Sequence, residues 1–276
     1  MSEHSVKLEH SGDCLRVIQI TDTHLNRTEG GTLLGLNTDF SLQHVLSRVQ
    51  SEHEQIDLVL GTGDISDHGS EEAYLRARNY FSQLGAPTLW LAGNHDRADT
   101  MAEVLGADGM LATVAQTDRW QIVMLNSQIP GEVGGRLGPA ELESLEAYLA
   151  QAASKSLYSL VCLHHQPVAM GSAWIDQQMV EDGADFLALI DRYDCVKGVL
   201  WGHVHQQLDT ARGQIKLMSA PSPRLQFAPS SDHFKVDNAS PGYRWLNLLA
   251  DGVIETGVSR VTDVAFDVDL ESDGYL

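Results

Sequence analysis

The chain has 276 residues, with 38 Asp plus Glu against 18 Lys plus Arg, and a formal charge of −20 with His neutral. So large a negative balance argues against nucleic acid, whose affinity comes from Lys and Arg along the phosphate backbone, but it leaves room for a small phosphorylated molecule held through bound metal. An apolar content of 43% supports a sizeable core in one or two domains, and no apolar run approaches the ~18 residues that would span a membrane.

The start lacks a basic region followed by an apolar core, so no secretory signal is expected. Cys14, Cys162 and Cys195 are few, odd in number and far apart, which points to a reducing, cytoplasmic setting rather than a disulfide framework. Residues 1–14 read as a polar extension. Leu15–Thr21 reads as a strand, followed by Asp22 and His24. A helical pattern from about Asp39 to His53 places Phe40, Val45, Leu46 and Val49 on one face. Ile56–Leu60 is a short apolar strand leading to Gly63-Asp64, and Ser70 before Glu71 and Glu72 opens a helix that should stop near Gly85.

Thr88–Leu91 is a strand ending at Gly93-Asn94-His95-Asp96, and Trp120–Leu125 is another. Gly138-Pro139 opens a helix with Leu142, Leu145 and Leu149 as its apolar stripe. Leu157–Leu163 ends in His164-His165, Asp185–Arg192 reads as helix, and Val196–Trp201 ends in Gly202-His203 and His205. Strands follow at Ile215–Ser219, Tyr243–Leu249 and Val253–Val261, after a long irregular stretch from Pro221 to Pro241. Strand–helix alternation with a β-rich end implies an α/β fold with sheet at its centre. Residues 15–262 are expected to form a single domain, and 263–276 a solvated acidic tail.

Each polar cluster stands where an apolar strand has just ended, and in a mostly parallel sheet such ends converge on one edge. Six of the 12 histidines lie in these clusters. The i, i+2 pairs Asp22/His24 and His203/His205 would point to one side of an extended chain. The glycines beside Asp64, Asn94 and His203 are expected to permit bends. Imidazoles and carboxylates without thiolate suit Mn, Fe, Zn or Co.

In order, these residues resemble the pattern of the calcineurin-like metallophosphoesterase superfamily, over about residues 15–206. The resemblance implies a four-layer αββα sandwich with a two-metal site at the sheet edge. By position, Asp22, His24 and His205 would hold one ion, Asn94, His164 and His203 the other, and Asp64 would bridge them. His95 and Asp96 would be catalytic, with Asp96 orienting His95 or fixing the turn, and His165 would support the ligand shell from behind. Substrate contacts would come from His24, Asp64, Asn94, His95 and His205. The cofactors implied are two transition-metal ions, Fe and/or Mn, with Zn or Co as alternatives.

Within the superfamily the chain is similar to bacterial class III 3′,5′-cyclic-AMP phosphodiesterases. The likeness is carried by the segments around Ile18–Leu25, Trp90–Asp96, His164–Pro167, Trp174–Gln177 and Gly202–Gln206, and later by Ala220–Ser222, Gln226–Pro229, Phe234 and Pro241–Arg244. It implies hydrolysis of cyclic AMP to 5′-AMP by in-line attack of a metal-bridging hydroxide, which lowers intracellular cyclic AMP. Pro223-Arg224 departs from that pattern, where small, often hydroxylated residues are expected, and bears on ring or purine preference. The base would rest on the Pro221–Phe227 loop, unless that loop forms a homodimer contact. Alternatives are a broad phosphodiesterase acting on glycerophosphodiesters or 2′,3′-cyclic nucleotides, and a non-catalytic scaffold.

Overall fold

A computed structural model describes residues 5–10 and 12–274; residues 1–4, 11 and 275–276 of the expected extension and tail lie outside it. Two sheets carry the molecule. One runs, edge to edge, through Ile254–Arg260, Gly242–Leu249, Cys14–Ile20, Leu58–Thr62 and Thr88–Leu91. The other runs through Ser5–Lys7, Val114–Gln116, Trp120–Met124, Tyr158–Leu163, Val196–Trp201, Ile215–Ser219 and Leu208–Arg212. The central strands of each, Cys14–Ile20 with Leu58–Thr62 and Thr88–Leu91, and Trp120–Met124 with Tyr158–Leu163 and Val196–Trp201, are parallel.

The layers follow from side-chain alternation along those strands. Val17, Leu58, Leu60, Leu89 and Leu246 of the first sheet meet Ile122, Met124, Leu160, Cys162 and Leu200 of the second, forming the apolar seam between sheets. Their neighbours Ile18, Val59 and Trp90 face outward onto Leu42, Val45, Tyr74, Phe81 and Leu105 of the helical segments Thr38–Glu52, Glu71–Ser82 and Ala98–Leu105. On the other side Val123, Val161, Val199 and Trp201 pack on Leu145 and Leu149 of Gly138–Ser154 and on Phe186 and Ile190 of Gly183–Ile190. The order is therefore helix, sheet, sheet, helix, and the expected αββα sandwich is the observed architecture. Ser70 caps its helix, accepting from the Ala73 N–H at 3.3 Å, and Pro139 occupies the first turn of Gly138–Ser154.

Several expectations need correction. Ser5–Lys7 is a strand rather than a polar extension: it pairs in parallel with Val114–Gln116 at the sheet edge, and Val6 and the neighbouring Leu8 pack on the seam between the sheets. Phe40 does not join the helix's buried face; it is 45% exposed, and Leu42 takes that place beside Val45, Leu46 and Val49. In the acidic tail, Val264 and Phe266 pack on the core beneath that helix, Val268 packs on a cluster of Leu225, Phe227 and Val236, and the Asp269 N–H donates to the Leu34 carbonyl at 2.9 Å. Alternating apolar residues among the acids give this segment a face to bury.

Candidate metal centre

The parallel strands end together, and their tips form one buried polar rim. Asp22, His24, Asp64, His164, His203 and His205 are each at most 5% exposed. The i, i+2 spacing works differently from the extended geometry expected of it. Asp22, His24, Asp64, His203 and His205 have φ of 59°, 42°, 51°, 66° and 45°, so each stands at a left-handed turn just past its strand. Such conformations cost non-glycine residues on the order of 1–3 kcal/mol each and persist only where surroundings hold them. The hold is visible: the Asp22 N–H donates to the Gly63 carbonyl and the His24 N–H to the Asp64 carbonyl, both at 2.9 Å, and the Gly202 N–H donates to the His164 carbonyl at 3.1 Å. Neighbouring strand tips thus lace one another.

Of the three glycines expected to permit bends, only Gly63 is left-handed, at φ 99°. Gly93 and Gly202 serve close approach instead: a Cβ on Gly93 would collide with Asp64 and His164, and one on Gly202 with Thr21 and Asp22.

The ligand-type atoms converge on two adjoining groups. His205 Nε2 lies 3.4 Å from Asp22 Oδ1, and Asp22, His24 and His205 offer donor atoms within 4.8 Å of one another. Asp22, Asp64 and His164 do the same. Asp64 stands between, its Oδ2 3.5 Å from His24 Nε2 and 3.3 Å from His164 Nε2, while Asn94 Oδ1 is 3.1 Å from that same His164 nitrogen. The second nitrogens of two histidines are already committed: His164 Nδ1 to the Thr62 carbonyl at 2.8 Å and His205 Nδ1 to the Leu225 carbonyl at 3.0 Å. That fixes each ring and aims Nε2 at the centre. The His203 N–H donates to both Asp22 carboxylate oxygens, and His203 Nε2 is buried without a hydrogen-bond partner among the described residues. An orphaned imidazole nitrogen beside two buried carboxylates is a donor set that fits transition-metal ions.

Electrostatics agree. Burial opposes charging His164, but the Asp64 carboxylate outweighs it and pushes the pKa up to about 9. Burial would raise Asp64; the charges of His164 and His95 instead hold it well below the usual carboxylate range. Burial, then the neighbouring His165 and His164, keep His203 neutral far below its usual value. The neutral His203 imidazole and the ionised Asp64 carboxylate are the forms that bind metal, whereas His164, whose proton Asp64 holds, must release it to become a ligand.

His95 and Asp96 are adjacent in sequence but not in role. The His95 N–H donates to Asp64 Oδ1 at 2.9 Å, its Nδ1 meets the Asp67 carbonyl at 3.0 Å, and its ring packs edge-on against His24 at 4.6 Å between centroids. Of the two roles expected of Asp96, its surroundings match fixing the turn: its carboxylate accepts from the N–H groups of Gly93, Ile65 and Ser66 and from the Tyr74 hydroxyl, which ties the Asp64 loop to the Asn94 loop. The carboxylate facing His95 and His24 belongs to Asp67, 3.8 Å and 3.4 Å away. Asp67, three residues after Asp64, is of a type common in turns, and nothing in the sequence singles it out. Gln128, whose amide donates to the Gly93 and Asp96 carbonyls, carried no signal either. His165 sits behind the centre with Nδ1 on the Ser127 hydroxyl (2.8 Å) and Nε2 near the Val133 carbonyl (3.2 Å), and burial, then the His164 charge, push its pKa down to about 3.

The irregular stretch after residue 220 closes the rim. Ser222 Oγ donates to the Asp22 carbonyl at 2.8 Å, and the Phe227 ring stacks on His205 at 4.2 Å with 9° between planes. Trp174 and Phe234 continue that aromatic wall.

Residues 15–207 match the family model of the calcineurin-like phosphoesterases. The chain belongs to this family. Among curated calcineurin-like phosphoesterase relatives, it is 40% identical over 275 residues, covering all of both chains, to the 3′,5′-cyclic adenosine monophosphate phosphodiesterase CpdA of Pseudomonas aeruginosa. It is 36% identical over 263 residues, 95% of each chain, to CpdA of Escherichia coli K12. Among solved structures, a dimetal phosphatase of Danio rerio aligns at TM-score 0.56 and 15% identity over 89% of this chain and 98% of that one. A purple acid phosphatase of yellow lupin aligns at 0.64 and 14% over 94% and 53%. These two likenesses establish the fold.

Proposed function

We propose that the protein hydrolyses 3′,5′-cyclic AMP to 5′-AMP. The observation that carries the substrate is the full-length match to cyclic-AMP phosphodiesterases, which continues past the family-wide region ending at residue 207 into the loop folded onto Asp22 and His205. The convergence of seven ligand-type side chains on one buried rim supports hydrolysis at phosphorus.

In this reading Asp22, His24 and His205 hold one ion, Asn94, His164 and His203 the other, and Asp64 is shared between them. Fe and Mn suit that mixed imidazole, carboxylate and amide set, with Zn or Co as alternatives. When bound, the ions supply Lewis acidity and lower the pKa of water. The chain does the rest. The buried rim keeps bulk water from the reacting phosphorus, and the Pro221–Phe227 loop, anchored on Asp22 and His205, flanks the nucleoside. The attacking water gives up a proton to solvent, and the P–O3′ bond breaks as the new P–O bond forms. His95, with Nδ1 occupied by the Asp67 carbonyl, delivers a proton from Nε2 to the departing 3′ oxygen.

The test is turnover by the Mn²⁺-reconstituted chain on cyclic AMP, cyclic GMP, bis-p-nitrophenyl phosphate and p-nitrophenyl phosphate, with products separated chromatographically. Cyclic AMP should give the highest kcat/KM and 5′-AMP as sole nucleotide product. Preference for the monoester would overturn the assignment.

A further inference from the structure

Arg224 is a buried guanidinium, 1% exposed, set in the loop that closes the metal rim. The main chain around it is bound to the ligand shell on both sides. Its N–H donates to Ser222 Oγ at 3.0 Å, the hydroxyl that in turn donates to the Asp22 carbonyl. The next residue's carbonyl, that of Leu225, is the one that meets His205 Nδ1. The Pro223 carbonyl accepts from the Ser41 hydroxyl at 2.6 Å, and the Gln226 amide donates to the carbonyls of Ser222 and Arg224. A segment anchored at this density keeps its side chain in one place.

That place is next to the Asp22–His24–His205 side of the centre. Arg224 lies between Ser222, whose hydroxyl is bound to the Asp22 carbonyl, and Leu225, whose carbonyl is bound to His205 Nδ1, and its buried charge acts on both His24 and His205. A guanidinium has five N–H donors and no acceptor, so it cannot ligate a metal ion. With two divalent ions held, the Asp22 and Asp64 carboxylates leave the shell net positive, and Arg224 adds to that charge. The group such a corner accommodates is an anion with several oxygens, and the planar fork of Arg matches phosphoryl oxygens.

We infer that Arg224 is a phosphate-binding, specificity-determining residue of this centre, donating to a phosphoryl oxygen of the ligand on the Asp22–His24–His205 side. The inference deepens the phosphodiesterase reading and rests on it only for the presence of a phosphate ligand. Because the contribution is charge–charge, a dianion gains more from it than a monoanionic diester does.

The experiment uses the full chain reconstituted with Mn²⁺ and three variants, Arg224→Ala, Arg224→Gln and Arg224→Lys. Inorganic phosphate binding is measured by calorimetry, cyclic AMP hydrolysis at steady state, and metal content and thermal unfolding alongside. Arg224→Ala and Arg224→Gln should weaken phosphate binding about tenfold, the scale of one charge-assisted hydrogen bond. They should raise KM for cyclic AMP by a smaller factor and leave kcat within about threefold. Arg224→Lys should recover most of the phosphate affinity. Unchanged phosphate affinity at full metal content overturns the inference, and so does loss of metal in all three variants, which would make Arg224 a brace for the ligand shell. A parent chain that binds phosphate but does not cleave cyclic AMP would instead remove the substrate assignment and leave Arg224 its role.

Discussion

Between the two sheets, Val17, Leu60, Ile122, Leu160 and Leu246 are buried completely, on regular strands whose alternation alone determines which way each faces. A few residues further along those same strands or their neighbours, Asp22, Asp64 and His203 are as deeply buried, yet they are polar, left-handed in φ and packed against one another's ionisable groups. The seam gains stability from every side chain it buries, at about 25 cal/mol per Å² of apolar surface. The rim spends stability on strained turns and desolvated carboxylates. Stability and chemistry are thus separated by a few residues of chain, and substitutions on either side of that boundary should fail in different ways.

The largest effect expected is at the rim. His95→Ala should retain its metal and its unfolding temperature yet lose on the order of 10²–10⁴ in kcat for cyclic AMP. Loss of metal from that variant, read by elemental analysis, would move His95 into the ligand shell and blur the boundary. In the seam, Leu246→Ala should do the reverse. Chemical denaturation should report about 3 kcal/mol lost to an unfilled cavity, with metal content and KM unchanged. A parallel drop in metal affinity would show that the sheets transmit strain to their tips.

The smallest effect concerns a histidine remote from both regions. His53 closes the helix Thr38–Glu52 with its ring against the Tyr243 hydroxyl at 2.9 Å, and burial lowers its pKa below the usual 6.5 despite the Glu52 charge. Its folded form binds a proton less readily than the unfolded chain does. The stability it contributes is therefore present above about pH 6.5 and lost as pH falls through the lower folded value. His53→Gln should show a shallower decline in unfolding temperature between pH 7 and pH 5 than the parent, and an identical decline would mean the ring is as solvated folded as unfolded.

The contrast also explains what could be read before the structure. Leu58–Thr62, Tyr158–Leu163 and Val196–Trp201 are apolar runs closed by polar clusters, so both the strands and the ligand-type residues at their tips were legible. The local geometry was not. An i, i+2 spacing suggests a shared face of extended chain, but the strand Cys14–Ile20 stops before Asp22, and left-handed turns bring Asp22 and His24 together instead. Asp67 was overlooked because a turn aspartate is common, and only its approach to His24 and His95 distinguishes it. Leu208–Arg212 was missed because this edge strand, paired to Ile215–Ser219, is largely exposed and has no apolar alternation to display. Phe40 misled in the opposite sense: an aromatic at helical spacing looked like core, whereas its ring lies at the surface among His44 and Phe266.

Anomalous diffraction from a crystal of the Mn²⁺-loaded chain tests the centre most directly. Two peaks should appear about 3.5–4 Å apart, one against Asp22, His24 and His205, one against Asn94, His164 and His203, with the Asp64 carboxylate between. A single peak, or a pair remote from Asp64, would contradict the account.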